Sequence, residues 1–299
     1  MMKLSHESKV RLGVGIGAFV LIVGLVFGVS RTLIHFDGPW DLDDVVSGLS
    51  GMVDVVDEGD LLDDGNYSAQ PQQLSSETFD ADAFTSLDLD VTSGTVEVKH
   101  VSGGPVRVIE SGRVATGTVA FDAATQNLAE IEGSTLKIRQ FDCDDERAID
   151  RTVTVELPRE VADNMVGITA NVESGDLTVA GIACHDLNLT LDSGDVEFTG
   201  TVTDTLNAEV GSGDVTFELY QAPAKSMDVS VGSGDVEMTV PNSTSFKASL
   251  TLGSGDFESD FLPLGYDGET ILNLEFDNGD KSATYRFEVG SGDMSFDPE

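Results

Sequence analysis

Leu189-Thr190-Leu191-Asp192-Ser193-Gly194-Asp195-Val196-Glu197-Phe198 alternates apolar and polar side chains on both sides of a Ser-Gly-Asp, and the alternation changes phase across it. Leu191, the last apolar residue before the motif, and Val196, the first after it, are five positions apart. Inward-facing residues of one strand are separated by even numbers. The odd interval means that the chain turns a corner or carries a bulge at Ser-Gly-Asp, where glycine avoids Cβ crowding. The same interval separates Val91 and Val96, Val172 and Leu177, Val210 and Val215, Val231 and Val236, Leu252 and Phe257, and Val289 and Met294. The structural corner glycines are Gly94, Gly175, Gly194, Gly213, Gly234, Gly255 and Gly292.

Six of these corners read Ser-Gly-Asp in full, and the first, Ser93-Gly94-Thr95, lacks the Asp. From Ser174 onward the serines are spaced by 19, 19, 21, 21 and 37 residues, the last gap being close to two periods. A unit this short cannot bury its own apolar face and must stack on its neighbours, and stacked strand-corner-strand units make a β-solenoid. A β-sandwich also alternates strands with frequent turns, but the fixed register favours the solenoid. The expected fold class is all-β: a single-stack, β-helix-like solenoid over residues 81–299, with roughly ten coils and a length on the order of 50 Å. Strands are also expected at 106–109, 119–121, 136–138 and 153–157, with a charged loop at 141–151. Asn278-Gly279 predicts a hairpin turn between strands at 272–276 and 285–289.

Upstream of the repeats, Leu12 to Val29 carries no charge and follows Lys3, Lys9 and Arg11. This stretch reads as one transmembrane α-helix, since it is longer than the apolar region of about 7–15 residues in a signal peptide. A cleaved signal peptide, with Gly28 and Ser30 at the cleavage site, is the rival reading. No Lys or Arg occurs between Arg31 and Lys99, where sixteen acidic residues do, so residues 1–11 are expected in the cytoplasm and the remainder outside. Residues 30–80 form an acidic juxtamembrane segment and linker: apolar residues at helical spacing in 37–66, then the polar, aperiodic stretch 65–76.

Composition narrows the function further. With 16 Lys plus Arg against 54 Asp plus Glu among 299 residues, the net charge of −38 argues against a nucleic-acid partner. Thr152-Val153-Thr154-Val155-Glu156-Leu157-Pro158 followed by the serial Ser-Gly-Asp units resembles a bacterial putative-adhesin family of unknown function, over roughly residues 84–297. The resemblance implies a β-solenoid of strand repeats, often on envelope proteins with a single membrane anchor. Some members resemble envelope-stress accessory proteins. It brings no catalytic residue or cofactor, and Ser93-Gly94-Thr95 departs from the motif by lacking its Asp, which puts a metal or recognition role at that coil in doubt.

In register, Asp176, Asp195, Asp214, Asp235 and Asp256 would form a ladder of carboxylates about 5 Å apart, with neighbour repulsion of about 1 kcal/mol in water. Each either accepts from backbone N–H groups of its own corner, as Asp does in turns, or shares a weakly held Ca²⁺ with its neighbours. Such a spacing also suits a retaining glycosidase, but catalysis needs two carboxyls made different by their surroundings. A uniform ladder supplies no such difference. Cys143 and Cys184 either bridge, tying the 142–150 loop to the next coils, or stay packed or free. Cys184-His185-Asp186 is a poor triad because consecutive strand residues point to opposite faces. His6, His35, His100 and His185 show no metal-ligand spacing.

The expectation is a non-catalytic, membrane-anchored envelope protein whose solenoid serves adhesion or scaffolding through a protein or cell-surface partner, with self-association open. An accessory regulatory subunit of an envelope-stress system is the alternative, to which the small-residue pairs Gly13/Gly17 and Gly24/Gly28 would contribute a helix-packing surface. A carbohydrate-active enzyme is the minor one.

Overall fold

The computed structural model describes residues 68, 70–114, 128–140, 148–261, 273–280 and 282–299. The expected membrane helix at 12–29, the stretch 37–66 and the expected strand at 119–121 lie outside them. Among the described residues no helix is long and apolar enough to cross a membrane. The chain divides into units 1–62 and 63–299, and every described residue belongs to the second.

Strands form where β-branched and aromatic residues alternate with polar ones. In chain order they are β1 (Gln72–Phe79), β2 (Ser86–Val91), β3 (Gly94–Val101), β4 (Val106–Val114), β5 (Ala129–Glu132), β6 (Thr135–Gln140), β7 (Ala148–Pro158), β8 (Met165–Val172), β9 (Gly175–Leu191), β10 (Gly194–Val210), β11 (Asp214–Gln221), β12 (Ser226–Val231), β13 (Val236–Val240), β14 (Phe246–Leu252), β15 (Phe257–Glu258), β16 (Asn273–Asn278), β17 (Ala283–Val289) and β18 (Met294–Pro298). One short helix, α1 (Arg159–Ala162), follows β7.

The strands that precede corners stack in parallel as a leading face, in the order β6, β2, β8, β9, β10, β12, β17, β14. Those that follow corners stack as a trailing face, in the order β7, β3, β9, β10, β11, β13, β18, β15. The long β9 and β10 serve both, their first halves trailing one coil and their second halves leading the next. All fourteen residues that flank the phase changes are buried, as the odd interval requires.

Among the described residues eight parallel coils result, where the sequence suggests roughly ten. Much of the remaining length makes antiparallel strands at the two ends: β4 between β7 and β1, β5 on β6, and β16 on β14. An antiparallel strand does not present the edge that the next parallel coil would need, so the repeat stops there.

Four further expectations change. Residues 72–76, read as linker, belong to β1, which pairs with β4 and moves the start of the β domain ahead of residue 81. An edge strand needs little burial, so β1 shows no strong apolar alternation to find. The charged loop ends earlier than 151, because β7 begins at Ala148 and Arg151 is buried within it. The turn at Gly279 exists (φ +66°) but joins no hairpin, since β16 pairs with β14 and β17 lies on the other side of β14. It carries the chain past the start of β14, where Asn278 Nδ2 donates to Thr244 O at 2.7 Å.

Coil order in space also departs from sequence order at both ends. Coil 135–158 lies outside coil 86–101, and coil 165–180 returns to the opposite side of coil 86–101. At the other end coil 246–258 is outermost, and the last coil, 283–298, lies between it and coil 226–240. The 37-residue gap between Ser254 and Ser291 is this outward path and return.

Candidate functional site

The column of Ser-Gly-Asp corners is the feature that repeats most closely, and it begins with backbone crowding. A Cβ on Gly175 would lie 2.6 Å from the carbonyl oxygen of Gly94 in the neighbouring coil. On Gly213, Gly234, Gly255 and Gly292 it would fall still closer to the carbonyls of Gly194, Gly213, Gly292 and Gly234. Only glycine permits coils to stack at rung spacing here, whatever its φ. From Ser212 onward a second glycine precedes each serine. Cβ atoms on Gly211 and Gly232 would stand 2.9 and 2.8 Å from the carbonyl oxygens of Asp192 and Gly211.

The aspartates follow from the same stacking. Asp176, Asp195 and Asp214 are direct register partners. Beyond them Asp214 Oδ1 accepts from the Asp235 N–H (3.3 Å), Asp235 Oδ1 from the Asp293 N–H (3.0 Å), and Asp293 Oδ1 from the Asp256 N–H (2.9 Å). Two features of the expected ladder change. Asp293 stands between Asp235 and Asp256, and the carboxylates of Asp214, Asp235 and Asp293 accept from the corner of the next coil instead of their own. At the corner the backbone leaves the strand, and the carboxylate replaces the ladder acceptor that the next N–H would lose. Among the described residues no group of three or more His, Cys, Asp or Glu is arranged to hold a metal ion.

The two faces differ in charge. Between Gly175 and Ala180, Gly194 and Thr199, and throughout β11, β13, β18 and β15 there is no Lys or Arg, while Glu197, Glu218, Glu237, Glu258 and Asp297 extend the acidic column. Asp297 accepts from the Asp260 N–H at 2.8 Å, and burial, opposed by that bond and helped by the charges of Asp260, Glu258 and Glu237, holds its pKa above the usual carboxylate range. The leading face carries neutral and mixed ladders instead. Asn207 Nδ2 donates to Asn188 Oδ1 (2.8 Å), Thr205 Oγ1 to Asp186 Oδ1 (2.6 Å), and Arg286 Nε lies 3.5 Å from Asp228 Oδ1.

Cys184, His185 and Asp186 do not converge. The Cys184 thiol is free and buried, its pKa pushed up to about 12 by burial and then by the Asp186 charge. His185 is exposed, with Nδ1 3.2 Å from Thr203 Oγ1 and 3.8 Å from Asp204, and Asp186 is engaged with Thr205. Cys143, His6 and His35 lie outside the described residues. An open depression of about 410 Å³ between Ala81–Thr85 and α1 brings together no catalytic set, only Asp82, Glu160 and Asn164 on an apolar floor of Phe84 and Met165.

Sequence reasoning passed over one buried pair. Glu110 on β4 and Arg151 on β7 form an ion pair inside the end of the core, with Ser75 Oγ donating to Glu110 Oε2 at 3.4 Å. The signal was parity: Glu110 continues the inward positions Val106 and Val108, and Arg151 precedes Val153 and Val155.

The family model for Toastrack DUF4097 matches residues 78–296, the whole corner column included. The chain belongs to this family. Solved structures similar to this Toastrack chain include a "putative cell adhesion protein" from Clostridium sporogenes, at 11% identity and a TM-score of 0.45, covering 77% of this chain and 100% of that one. A "putative adhesin" from Parabacteroides distasonis is 12% identical, with a TM-score of 0.34 and coverage of 76% and 97%. A "putative lipid binding protein" from the same organism is 13% identical, with a TM-score of 0.32 and coverage of 76% and 98%. No curated protein matches the chain.

Proposed function

We propose that this Toastrack protein works by display: residues 12–29 anchor it in the cell membrane, residues 1–11 face the cytoplasm, and the solenoid stands outside as a non-catalytic adhesive or scaffolding surface. The corner column and the acidic trailing face carry this reading. The same short polar groups recur at rung spacing, and at successive corners the carboxylates are spent on backbone N–H groups of the next coil. Catalysis needs one group made different from its neighbours by its surroundings. A repeated face suits many equal, weak contacts to an extended partner, whose sum grows with the number engaged.

Crosslinking in intact cells followed by affinity purification tests this, comparing the full chain with the solenoid fused to an unrelated membrane helix. Recovery of surface proteins, wall-linked material or the protein itself with both forms supports display. Recovery of a membrane sensor or transporter with the native helix alone overturns it in favour of a regulatory subunit. That outcome would give the pairs Gly13/Gly17 and Gly24/Gly28 the role of helix contact.

A further inference from the structure

The last coil, 283–298, occupies a slot between two coils that fit each other without it. At four successive junctions the backbone makes the same bond. Gly211 N–H donates to Leu191 O, Gly232 N–H to Val210 O, Gly290 N–H to Val231 O and Gly253 N–H to Val289 O, each at 2.7 Å. With the last coil withdrawn, Gly253 N–H faces the same kind of acceptor, Val231 O, that Gly290 now uses. The serine spacing agrees, since Ser233 to Ser254 is 21 residues, as is Ser212 to Ser233 across directly stacked coils. The connections agree as well. Residues 222–225 carry the chain from β11 to β12 across one rung, and residues 241–245 carry it from β13 to β14 across two. Five extended residues reach roughly 16 Å, more than two rungs of about 4.8 Å each, so this connection is long enough for either arrangement.

The inserted coil is held between its two neighbours through buried aromatic side chains. Its strands β17 and β18 bring Tyr285, Phe287 and Phe296 into the aromatic core, where Tyr285 stacks on Phe246 with ring centroids 5.0 Å apart and donates its hydroxyl to Pro223 O at 2.8 Å. These are contacts specific to this sequence, and a second copy carries the same sequence. We propose that the slot between coils 226–240 and 246–258 also receives the C-terminal coil 283–298 of a second copy of this chain, so that neighbouring molecules become linked by exchanging that coil.

Ser230 and Glu288 are exposed register partners on β12 and β17, which places paired cysteines there within reach of a disulfide. The test uses full-length chains in a Cys143→Ser background, carrying Ser230→Cys or Glu288→Cys on different tags and co-expressed in one cell. Mild oxidation is expected to give a linked dimer containing both tags. The pair Ser230→Cys with Thr284→Cys, equally exposed but out of register, is expected not to, which separates exchange from collision. A single chain carrying both Ser230→Cys and Glu288→Cys should close internally and shows that the site is bondable. Closure in the single chain with no mixed dimer above the out-of-register control overturns the proposal. Should a cysteine variant fold poorly, two differently tagged wild-type chains supply the second reading. Their co-purification after joint unfolding and refolding, and not after mixing of folded chains, is expected, and its absence overturns the proposal as well.

Discussion

The middle of the solenoid and its two ends hold coils together by different chemistry. From residue 165 to 240 coils follow one another in sequence order, each corner a copy of the one beneath it, and the stacking rests on glycine backbones and apolar pairs. At the ends the chain doubles back, places coils out of order and closes with antiparallel strands. One end buries the Glu110–Arg151 pair, and the other packs Phe246 against Phe261, Phe276, Tyr285 and Phe296 with centroids 5.0–5.8 Å apart. A repeating unit extends itself but cannot stop itself. Termination needs residues that break the pattern, and these are where the chain's individuality lies.

The largest expected effect is at the end. Glu110→Ala leaves the Arg151 guanidinium buried without its carboxylate and should cost about 3–5 kcal/mol in chemical denaturation. The double change Glu110→Leu with Arg151→Met should restore most of that, because a well-packed apolar pair replaces a buried ion pair at little cost. Failure of the double change to recover stability would mean that the pair sets the register of β4 against β7 and does more than fill the core.

In the middle, Gly234→Ala drives a Cβ into the Gly213 carbonyl, and the backbone must move apart. A loss of about 3 kcal/mol is expected. Gly103→Ala meets nothing within 4 Å and should stay within about 0.5 kcal/mol of wild type. Equal tolerance at both positions would break the account of the corner as a close backbone stack.

Asp235→Ala removes the acceptor for the Asp293 N–H and should cost about 1 kcal/mol. Asp235→Asn keeps an oxygen at that place and relieves repulsion along the column, so its thermal midpoint should match or exceed that of wild type at low salt. The smallest effect is one of pH. The folded pKa of Asp297 is raised, so its contribution is fully present below the ordinary Asp value of 3.8 and is lost as pH rises through the higher folded value. Asp297→Asn should therefore stabilise the protein slightly at neutral pH and flatten that part of the stability–pH curve, as thermal melts across pH would read.

Much of this architecture is legible in one dimension. The interval from Leu191 to Val196 and its six counterparts identified the corners, the two faces and the inward residues, because strand phase and corner geometry are local properties of a few residues. The end strands were harder. β1 hides because an edge strand carries little apolar pattern, and Glu110 and Arg151 hide because inward charged residues read as loop until their partners are known. At the candidate site five of the aspartates and an acceptor role for them were legible, but not Asp293's place among them nor the coil that supplies each N–H, since which N–H meets which carboxylate depends on the neighbouring coil.

By itself the sequence determined that the chain turns at each Ser-Gly-Asp, which residues face inward on either side, and that glycine must occupy the corner. Only the tertiary structure decided which coil lies against which, that Asp293 separates Asp235 from Asp256, and where antiparallel strands end the stack. The reason is equivalence. Every coil presents nearly the same parallel edge, so local pattern cannot rank the possible neighbours, and the choice falls to long-range packing at the two ends, where the pattern is broken.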